Sequence, residues 1–262
     1  MIPVVSSEQC SYWKKREDVY RISGMNIAAK TDIGLKRKTN QDRYLVRSLN
    51  DGRLLILVAD GLGGEPGGQT ASEYVMDCAE RLTIARDQST VSKMQAFFET
   101  MDRDIALEAD RNGILEGMAT TLTAVVVEDR TVHWIHSGDS RLYHIQNRQL
   151  RRITQDQTLA RFLIREGELS PKEAQSHYSQ QVLDQCIGCR DLEPDSGNFF
   201  LGPGDMLILA TDGLSRHVPD RKIQQVCDQA RTSEQAAQTL VEYATEAGGR
   251  DNVTVVVLKN KG

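Results

Sequence analysis

The stretch LLILVADGLGGEPGGQTAS, residues 54–72, joins an apolar run to a carboxylate and then to a glycine-rich segment. The run from Leu54 to Ala59 predicts a buried strand, and Asp60 follows at its end. Five of the next eight residues are glycine, so the backbone can bend sharply there. A phosphate-binding loop fits poorly, because Pro66 stands where a GxGxxG motif needs its last glycine. The stretch therefore places a negative charge at the end of a buried strand, at the edge of the hydrophobic core.

Three further carboxylates stand at the ends of apolar runs. Asp212 follows MLILAT, Asp251 comes just before NVTVVVL, and Asp139 follows HWIHSG. If the four carboxylates converge, they repel one another unless a positive charge lies among them. Arg141 and Arg250 could supply it by pairing with their neighbours, or a divalent metal ion could. A single Asp-Gly is best interpreted as a turn, but the repetition favours a metal, and ligands that are all oxygen favour Mg²⁺ or Mn²⁺ over zinc.

The hydrophobic pattern predicts an α+β fold. Strand-like runs rich in Val, Ile, Leu and Tyr cover Arg43–Arg47, Leu54–Ala59, Thr121–Val127, Val132–His136, Leu142–Ile145, Met206–Ala210 and Val253–Leu258. Most are joined by turns too short for a crossover helix, which favours antiparallel pairing. Apolar stripes at helical spacing cover 71–82 and 94–105, and a third helix begins at a capping box of Thr232 and Gln235. We expect helices layered on antiparallel sheets.

Breaks in the hydrophobic periodicity predict the domain organisation. Residues 1–25 lack periodicity and are treated as an N-terminal extension of uncertain order, and residues 26–262 are predicted to form a single domain. Between about 154 and 189 the chain turns polar and irregular, which indicates an inserted flap with short helices. His133 and His136 lie on a predicted strand, where a packing or surface role is favoured over metal ligation.

Composition excludes several classes of partner. The 262 residues carry a net charge of −5 with scattered basic residues, so neither nucleic acid nor an anionic membrane is expected as a partner. No apolar run is long enough to span a bilayer and the start does not resemble a signal peptide, so we expect a cytoplasmic protein. The five cysteines are irregularly spaced and expected to be reduced thiols, with Cys186 and Cys189 only half of a zinc site.

Six motifs, taken in order, resemble one known family. The motifs occur in the order found in metal-dependent Ser/Thr protein phosphatases of the PP2C type. They are RKTNQD, VADGLGG, GMATTLTAVVV, SGDSRLY, LATDGL and GRDNVTVVVL. The resemblance runs from about Asn26 to Leu258. An ordered set of six is far more specific than any one motif alone. The resemblance implies two packed antiparallel β-sheets flanked by helices, which agrees with the strand and helix pattern.

The resemblance also implies a metal centre. Asp60, Asp212 and Asp251 would hold one Mn²⁺ or Mg²⁺ ion, and Asp60 with the carbonyl of Gly61 would hold a second. Two ions lower the pKa of a shared water, so that it can attack phosphorus in line.

Three other residues match the family's motifs. Arg37 would bind the phosphoryl group through its planar fork. Asp42 would hydrogen-bond waters around the ions. Asp139 resembles the residue that joins the counterpart of Asp212 around a third, weaker ion in bacterial members.

Two positions depart from the pattern. Gln41 stands where many members have Glu, so that position carries no negative charge and the second ion is expected to bind more weakly. Leu62 stands where eukaryotic members have a His proposed to protonate the leaving group, as is common in the bacterial branch. Glu65 or a metal-bound water could serve in its place.

Three functions remain to be compared. The first is metal-dependent hydrolysis of phosphoserine and phosphothreonine in proteins by a bacterial monomer, with a Ser/Thr kinase or its targets as partners. The second is a weakly active or inactive module that binds phosphoproteins, which Gln41 and Leu62 favour. The third is hydrolysis of a small phosphate ester, which the polar flap disfavours because an open site suits a protein substrate.

Overall fold

The computed structural model describes residues 17–22, 24–49, 51–62, 64, 66–85, 87–174 and 176–262. Glu65, the alternative general acid, lies outside the described residues, as does most of the predicted N-terminal extension. In the described part, no helix is both long enough and apolar enough to cross a bilayer.

Two antiparallel sheets form the centre of the fold. The first contains β1 (Glu17–Ile22), β2 (Met25–Asp32), β8 (Arg141–Gln146), β9 (Gln149–Arg152), β11 (Met206–Ala210) and β12 (Val253–Asn260). Its strand order is β1-β2-β12-β11-β8-β9. The second contains β3 (Asp42–Ser48), β4 (Leu54–Leu62), β6 (Leu122–Glu128), β7 (Thr131–Ser137) and β10 (Asp195–Phe200), in the order β10-β7-β6-β4-β3. A short strand, β5 (Ala119–Thr120), pairs with the end of β4.

Helices cover the outer faces of both sheets. They are α1 (Gly67–Glu80) and α2 (Thr90–Arg111) on the second sheet, and α5 (Asp212–Ser215), α6 (Asp220–Gln229) and α7 (Ser233–Glu246) on the first. Two shorter helices, α3 (Leu159–Arg165) and α4 (Pro171–Ala174), lie in the predicted flap. Ser89 caps α2 by accepting from the amide of Ser92, and Thr232 caps α7 by accepting from the amide of Gln235. Each cap satisfies an amide that has no partner inside its helix.

Three apolar clusters show how the layers pack. Alternate residues of the second sheet, such as Leu55 and Leu57, pack against α1 and α2, while their neighbours Ile56 and Val58 face the first sheet. The other face of the first sheet packs against α5, α6 and α7. The period of two in each strand thus builds a helix–sheet–sheet–helix stack. The predicted fold class is confirmed.

Some elements lie where the sequence did not predict them. β1 pairs with β2 along its whole length, so the first sheet begins inside the predicted N-terminal extension. β10 and α6 were also not predicted. The predicted flap contains α3 and α4, and its last residues lead to a disulfide between Cys186 and Cys189. The expectation of reduced thiols is wrong for this pair, because the loop brings the two Cα atoms to 5.4 Å, within reach of a bridge.

Candidate active site

Five carboxylates meet at one end of the stack. Asp42 begins β3 and lies directly opposite Asp60 in β4 of the second sheet. Asp212 follows β11 and Asp251 precedes β12, both in the first sheet, and Asp139 lies in the turn between β7 and β8. Because the two sheets pack face to face, their strand ends bring these side chains from both layers to one place.

The electrostatics show that the five carboxylates interact. Burial raises the pKa of Asp60 well above its usual range, and the charges of Asp42, Asp212, Asp139 and Asp251 raise it further. Burial likewise raises the pKa of Asp42 to about 7, although a hydrogen bond from Thr211 opposes the shift, and that of Asp212 to about 7. Without a bound cation the cluster favours protonation over charge.

Two carboxylate oxygens of the cluster are buried without a hydrogen-bond partner within the described ranges. Asp42 Oδ2 accepts from the hydroxyl of Thr211 at 2.8 Å, but Asp42 Oδ1 is buried with no partner in the described part of the chain. Asp212 Oδ1 is buried without a partner in the same way. Buried carboxylate oxygens are normally satisfied, and an unpaired one is costly. A divalent cation with its waters would satisfy both oxygens, so the residues fit a metal centre of all-oxygen ligands.

The side chains as placed do not form a ready set of ligands. Within the residues that the structure describes, no three His, Cys, Asp or Glu side chains stand close enough to hold an ion. Arginines neutralise part of the cluster instead. Arg37 donates to Asp251 Oδ2 at 2.8 Å, and Arg216 lies 2.6 Å from Asp212 Oδ2. Arg141, a candidate for this role, pairs with Asp156 at 2.7 Å, so that alternative is wrong.

Two threonines hold the backbone of Asp60. The amide of Asp60 donates to the Thr121 hydroxyl at 3.1 Å, and the carbonyl of Asp60 accepts from the Thr121 amide and the Thr120 hydroxyl at 2.9 Å each. The Thr121 hydroxyl also bonds that of Ser140, next to Asp139, at 2.9 Å. Thr121 is the first residue of a predicted strand, and nothing in that pattern indicates that its hydroxyl and that of Thr120 hold the backbone of a predicted ligand.

Gly61 is required by close packing. A Cβ atom on Gly61 would stand 2.2 Å from the carbonyl oxygen of Gly68, in the first turn of α1. Gly213 has a similar constraint, since its Cβ would stand 1.9 Å from the carbonyl oxygen of Asn252. Both glycines let a helix approach the strand end that carries a carboxylate. The predicted role of the Gly61 carbonyl as a ligand stays a prediction.

Asn252 holds the loop that carries Arg37. Its side chain donates to the carbonyls of Ile33 and Thr39 at 2.9 Å each, and it accepts from the amide of Gln41 at 2.8 Å. The sequence motifs contained Asn252, but nothing in their spacing assigned it this role. The Gln41 side chain donates to the carbonyl of Gly64 at 3.1 Å, so the neutral amide supports the glycine-rich loop.

Comparison with known proteins decides the family. The model of the protein phosphatase 2C family matches residues 36–248. The chain belongs to this family. The resemblance and the enzyme class predicted from the sequence, a protein-serine/threonine phosphatase, are confirmed.

The PP2C relatives include bacterial enzymes of similar length. Protein phosphatase PhpP of Streptococcus pneumoniae is 32% identical over 239 residues, which cover 89% of this chain and 97% of PhpP. The crystal structure of the Mycobacterium tuberculosis serine/threonine phosphatase PstP/Ppp matches with a TM-score of 0.81 at 32% identity, over 91% of this chain and 99% of that one. The catalytic domain of PstP was also solved in complex with two manganese ions; it matches with a TM-score of 0.78 at 32% identity, over 90% of this chain and 97% of that one.

Proposed function

We propose that this PP2C protein hydrolyses phosphoserine and phosphothreonine in proteins, with two Mn²⁺ or Mg²⁺ ions in its carboxylate cluster. The observation that carries the proposal is the convergence of five carboxylates beside Arg37, two of which have a buried oxygen with no partner among the described residues. The manganese complex of PstP supports the choice of metal. A phosphoprotein made by a Ser/Thr kinase, or the kinase itself, is the proposed partner of a monomeric enzyme.

The metal ions would be held by Asp60, Asp212 and Asp251, with the carbonyl of Gly61 as a further ligand. Bound ions of this kind lower the pKa of an attacking water and offset charge on the phosphoryl oxygens. The protein's own part is to hold the carboxylates in place. Thr120 and Thr121 hold the backbone of Asp60 through hydrogen bonds. Asp212 is the first residue of α5, and this helix packs on β12 and so holds the backbone of Asp212.

Arg37 is placed to bind the phosphoryl group of the substrate. One nitrogen of its guanidinium donates to Asp251, and about half of its side chain is exposed to solvent at 51%. A guanidinium carries five N–H donors in a plane, so donors remain for two phosphoryl oxygens. The bond to Asp251 keeps the fork next to the proposed metal centre.

Asp42 would orient water at the centre. Its Oδ2 accepts from Thr211, and its Oδ1 is buried without a partner among the described residues. A carboxylate fixed on one side can accept from a water on the other, which is the usual role of groups around metal ligands.

The test is release of phosphate from a phosphothreonine peptide in EDTA, Mg²⁺ or Mn²⁺. We expect turnover only with metal, and a loss of at least about a hundredfold for Asp212→Asn, because several kcal/mol of charge stabilisation depend on the centre. Asp220→Asn is the matched control, since Asp220 lies in the first turn of the neighbouring helix α6 outside the cluster. Its turnover should stay at the wild-type level.

The opposite result would favour a binding module. The Gln41 amide, occupied by the carbonyl of Gly64, is the observation in its favour. If the protein bound Mn²⁺ yet released no phosphate from the peptide, an aryl phosphate or phosphoproteins, hydrolysis would be abandoned for binding without turnover.

A further inference from the structure

Arg216 lies between two carboxylates of the cluster. It caps the C-terminus of α5, where its amide donates to the carbonyl of Asp212 at 2.9 Å. Its Nη2 lies 2.6 Å from Asp212 Oδ2 and 3.1 Å from Asp139 Oδ2. One guanidinium nitrogen therefore joins a carboxylate at the end of β11 to one in the turn after β7.

The two carboxylates that Arg216 contacts need a counter-ion. The side chains of Asp139 and Asp212 are only 9% and 8% exposed, whereas that of Arg216 is 42% exposed. Both carboxylates contact the same guanidinium nitrogen, so one positive charge lies against two nearly buried negative charges. Removing one member of a buried ionic group leaves the others uncompensated. Arg216 already supplies the positive charge that a third ion would bring to Asp139.

The two carboxylate oxygens of Asp212 have different surroundings. Oδ2 is taken by Arg216, while Oδ1 is buried without a partner in the described part of the chain. A carboxylate held by a guanidinium on one oxygen is fixed in rotation, so its other oxygen has a defined direction. Arg216 thus acts on the site through Asp212.

We propose that Arg216 is the built-in counter-ion of the Asp139–Asp212 pair and positions Asp212, so that the site takes two metal ions and no third. This inference rests on the proposed function, because it assumes that the cluster binds metal. It replaces the expectation that Asp139 is a metal ligand: Asp139 binds Arg216 and helps to hold it in place.

The experiment counts Mn²⁺ bound per chain by equilibrium dialysis and measures the melting temperature of the metal-free protein in EDTA. Wild type should bind two ions. Arg216→Gln should bind a third, weaker ion, because the Asp139–Asp212 pair has lost its cation. Adding Asp139→Asn to Arg216→Gln should return the count to two. Arg216→Lys, which keeps the charge, should also bind two.

The matched control is Arg161→Gln on α3. Arg161 has the same side-chain exposure of 42% and donates to Asp195 at 3.0 Å, but it lies in the flap. Its metal count should equal that of wild type. In EDTA, Arg216→Gln should melt several degrees below wild type, and Asp139→Asn should recover part of that loss by removing an uncompensated charge.

Each result decides between the two proposals. A third ion in wild type, or a count of two in Arg216→Gln, overturns the role of Arg216 and leaves the proposed function standing. If wild type binds no Mn²⁺, the metal centre and therefore the proposed function fail, and the inference fails with them. An unchanged melting temperature for metal-free Arg216→Gln would show that Arg216 is no counter-ion.

Discussion

Asp42 shows how contacts distant in sequence prepare one carboxylate. Thr211 donates its hydroxyl to Asp42 across 169 positions of sequence, and the same hydroxyl accepts from the amide of Thr254. The motif LATDGL contains this threonine next to Asp212, yet nothing in the spacing indicates that it serves Asp42. Motifs identified the carboxylates of the site; the hydroxyls that orient them depend on strand pairing, which the sequence alone does not show.

His136 is the residue for which we predict a pH dependence of stability. It is fully buried in β7, its Nδ1 bonds the Thr123 hydroxyl at 2.8 Å, and burial lowers its pKa to about 4. The unfolded chain binds a proton at this histidine near pH 6.5 and the native protein does not, so the contribution of His136 to stability falls as the pH drops from about 6.5 to about 4. The raised pKa values of Asp42 and Asp212 contribute with the opposite sign, so the comparison is between wild type and a variant. We expect His136 to account for a loss of about 2 kcal/mol between about pH 7.5 and about pH 5 in urea unfolding.

Two variants separate burial from hydrogen bonding at this histidine. His136→Gln removes the titrating ring, so its free energy of unfolding should fall by about 2 kcal/mol less than that of wild type over the same range. Thr123→Val removes the hydrogen bond but keeps the ring buried, so it should show the same pH dependence as wild type. Equal pH dependence in His136→Gln and wild type would assign the effect to other groups.

At the scale of elements, the predicted flap divides into two parts. Thr158 pairs with Leu183, and the amide of Leu159 donates to the carbonyl of Val182 at 2.8 Å, so residues 159–182 leave and rejoin the body at one place. The segment that follows, residues 183–189, supports the candidate active site. Ile187 is fully buried and exchanges both backbone hydrogen bonds with Thr120. The predicted range of 154–189 therefore contains two parts. Residues 159–182 form an insertion that could be removed, and Ile187 supports Thr120, which holds the backbone of Asp60.

We predict that residues 159–182 contribute to recognition of protein substrates only. Replacing them by an Asn-Gly turn suits the antiparallel pairing of Thr158 with Leu183. The kcat/KM for a phosphoprotein should fall at least about tenfold, because remote binding energy is lost, while that for an aryl phosphate stays within about twofold. Both rates are measured on the same preparation.

The matched comparison is deletion of residues 154–189. It removes Ile187 and with it the bonds to Thr120, so activity on both substrates should be lost. Equal losses from the shorter deletion would contradict the division of the flap into two parts.

Helices and strands were predictable from the sequence where their apolar residues form a strong pattern. The buried strands β4 and β12 and the stripes of α1, α2 and α7 carry strong apolar patterns. β10, with its sequence DSGNFF, is a polar strand at the edge of its sheet, and α6 buries only Ile223, Val226 and Cys227. β10 forms because β7 supplies its partner strand, so its own sequence carries a weak signal. α6 differs, because its three buried residues follow helical spacing, so this pattern was present in the sequence and was missed.

At the scale of the whole molecule, the site depends on both sheets at once. Asp42 and Asp60 belong to one sheet, and Asp212 and Asp251 to the strand ends of the other. Packing the sheets together forces these carboxylates into a partly dry cluster and raises the pKa of Asp60. The fold therefore gains stability from its apolar layers and loses some of it at the site.

Because the carboxylate cluster costs stability without metal, we predict that Asp60→Asn affects the melting temperature in opposite directions with and without metal. In EDTA, Asp60→Asn should melt at or above the wild-type temperature, because a neutral amide replaces a buried carboxyl group whose ionisation is opposed by like-charged neighbours. With Mn²⁺ at about a hundred times its dissociation constant, wild type should gain about 2.7 kcal/mol per site, or roughly 5–10 °C. Asp60→Asn should gain little, because the carboxylate that we propose to hold the ions is gone.

Differential scanning calorimetry of both proteins, with and without Mn²⁺, gives the four melting temperatures. Asp220→Asn controls for the loss of one charge outside the cluster and should gain as much from Mn²⁺ as wild type does. An equal gain in Asp60→Asn would place the ions elsewhere. A metal-free Asp60→Asn that melted well below wild type would mean that the carboxylates stabilise the apo fold, and the site would then be part of what holds the two sheets together.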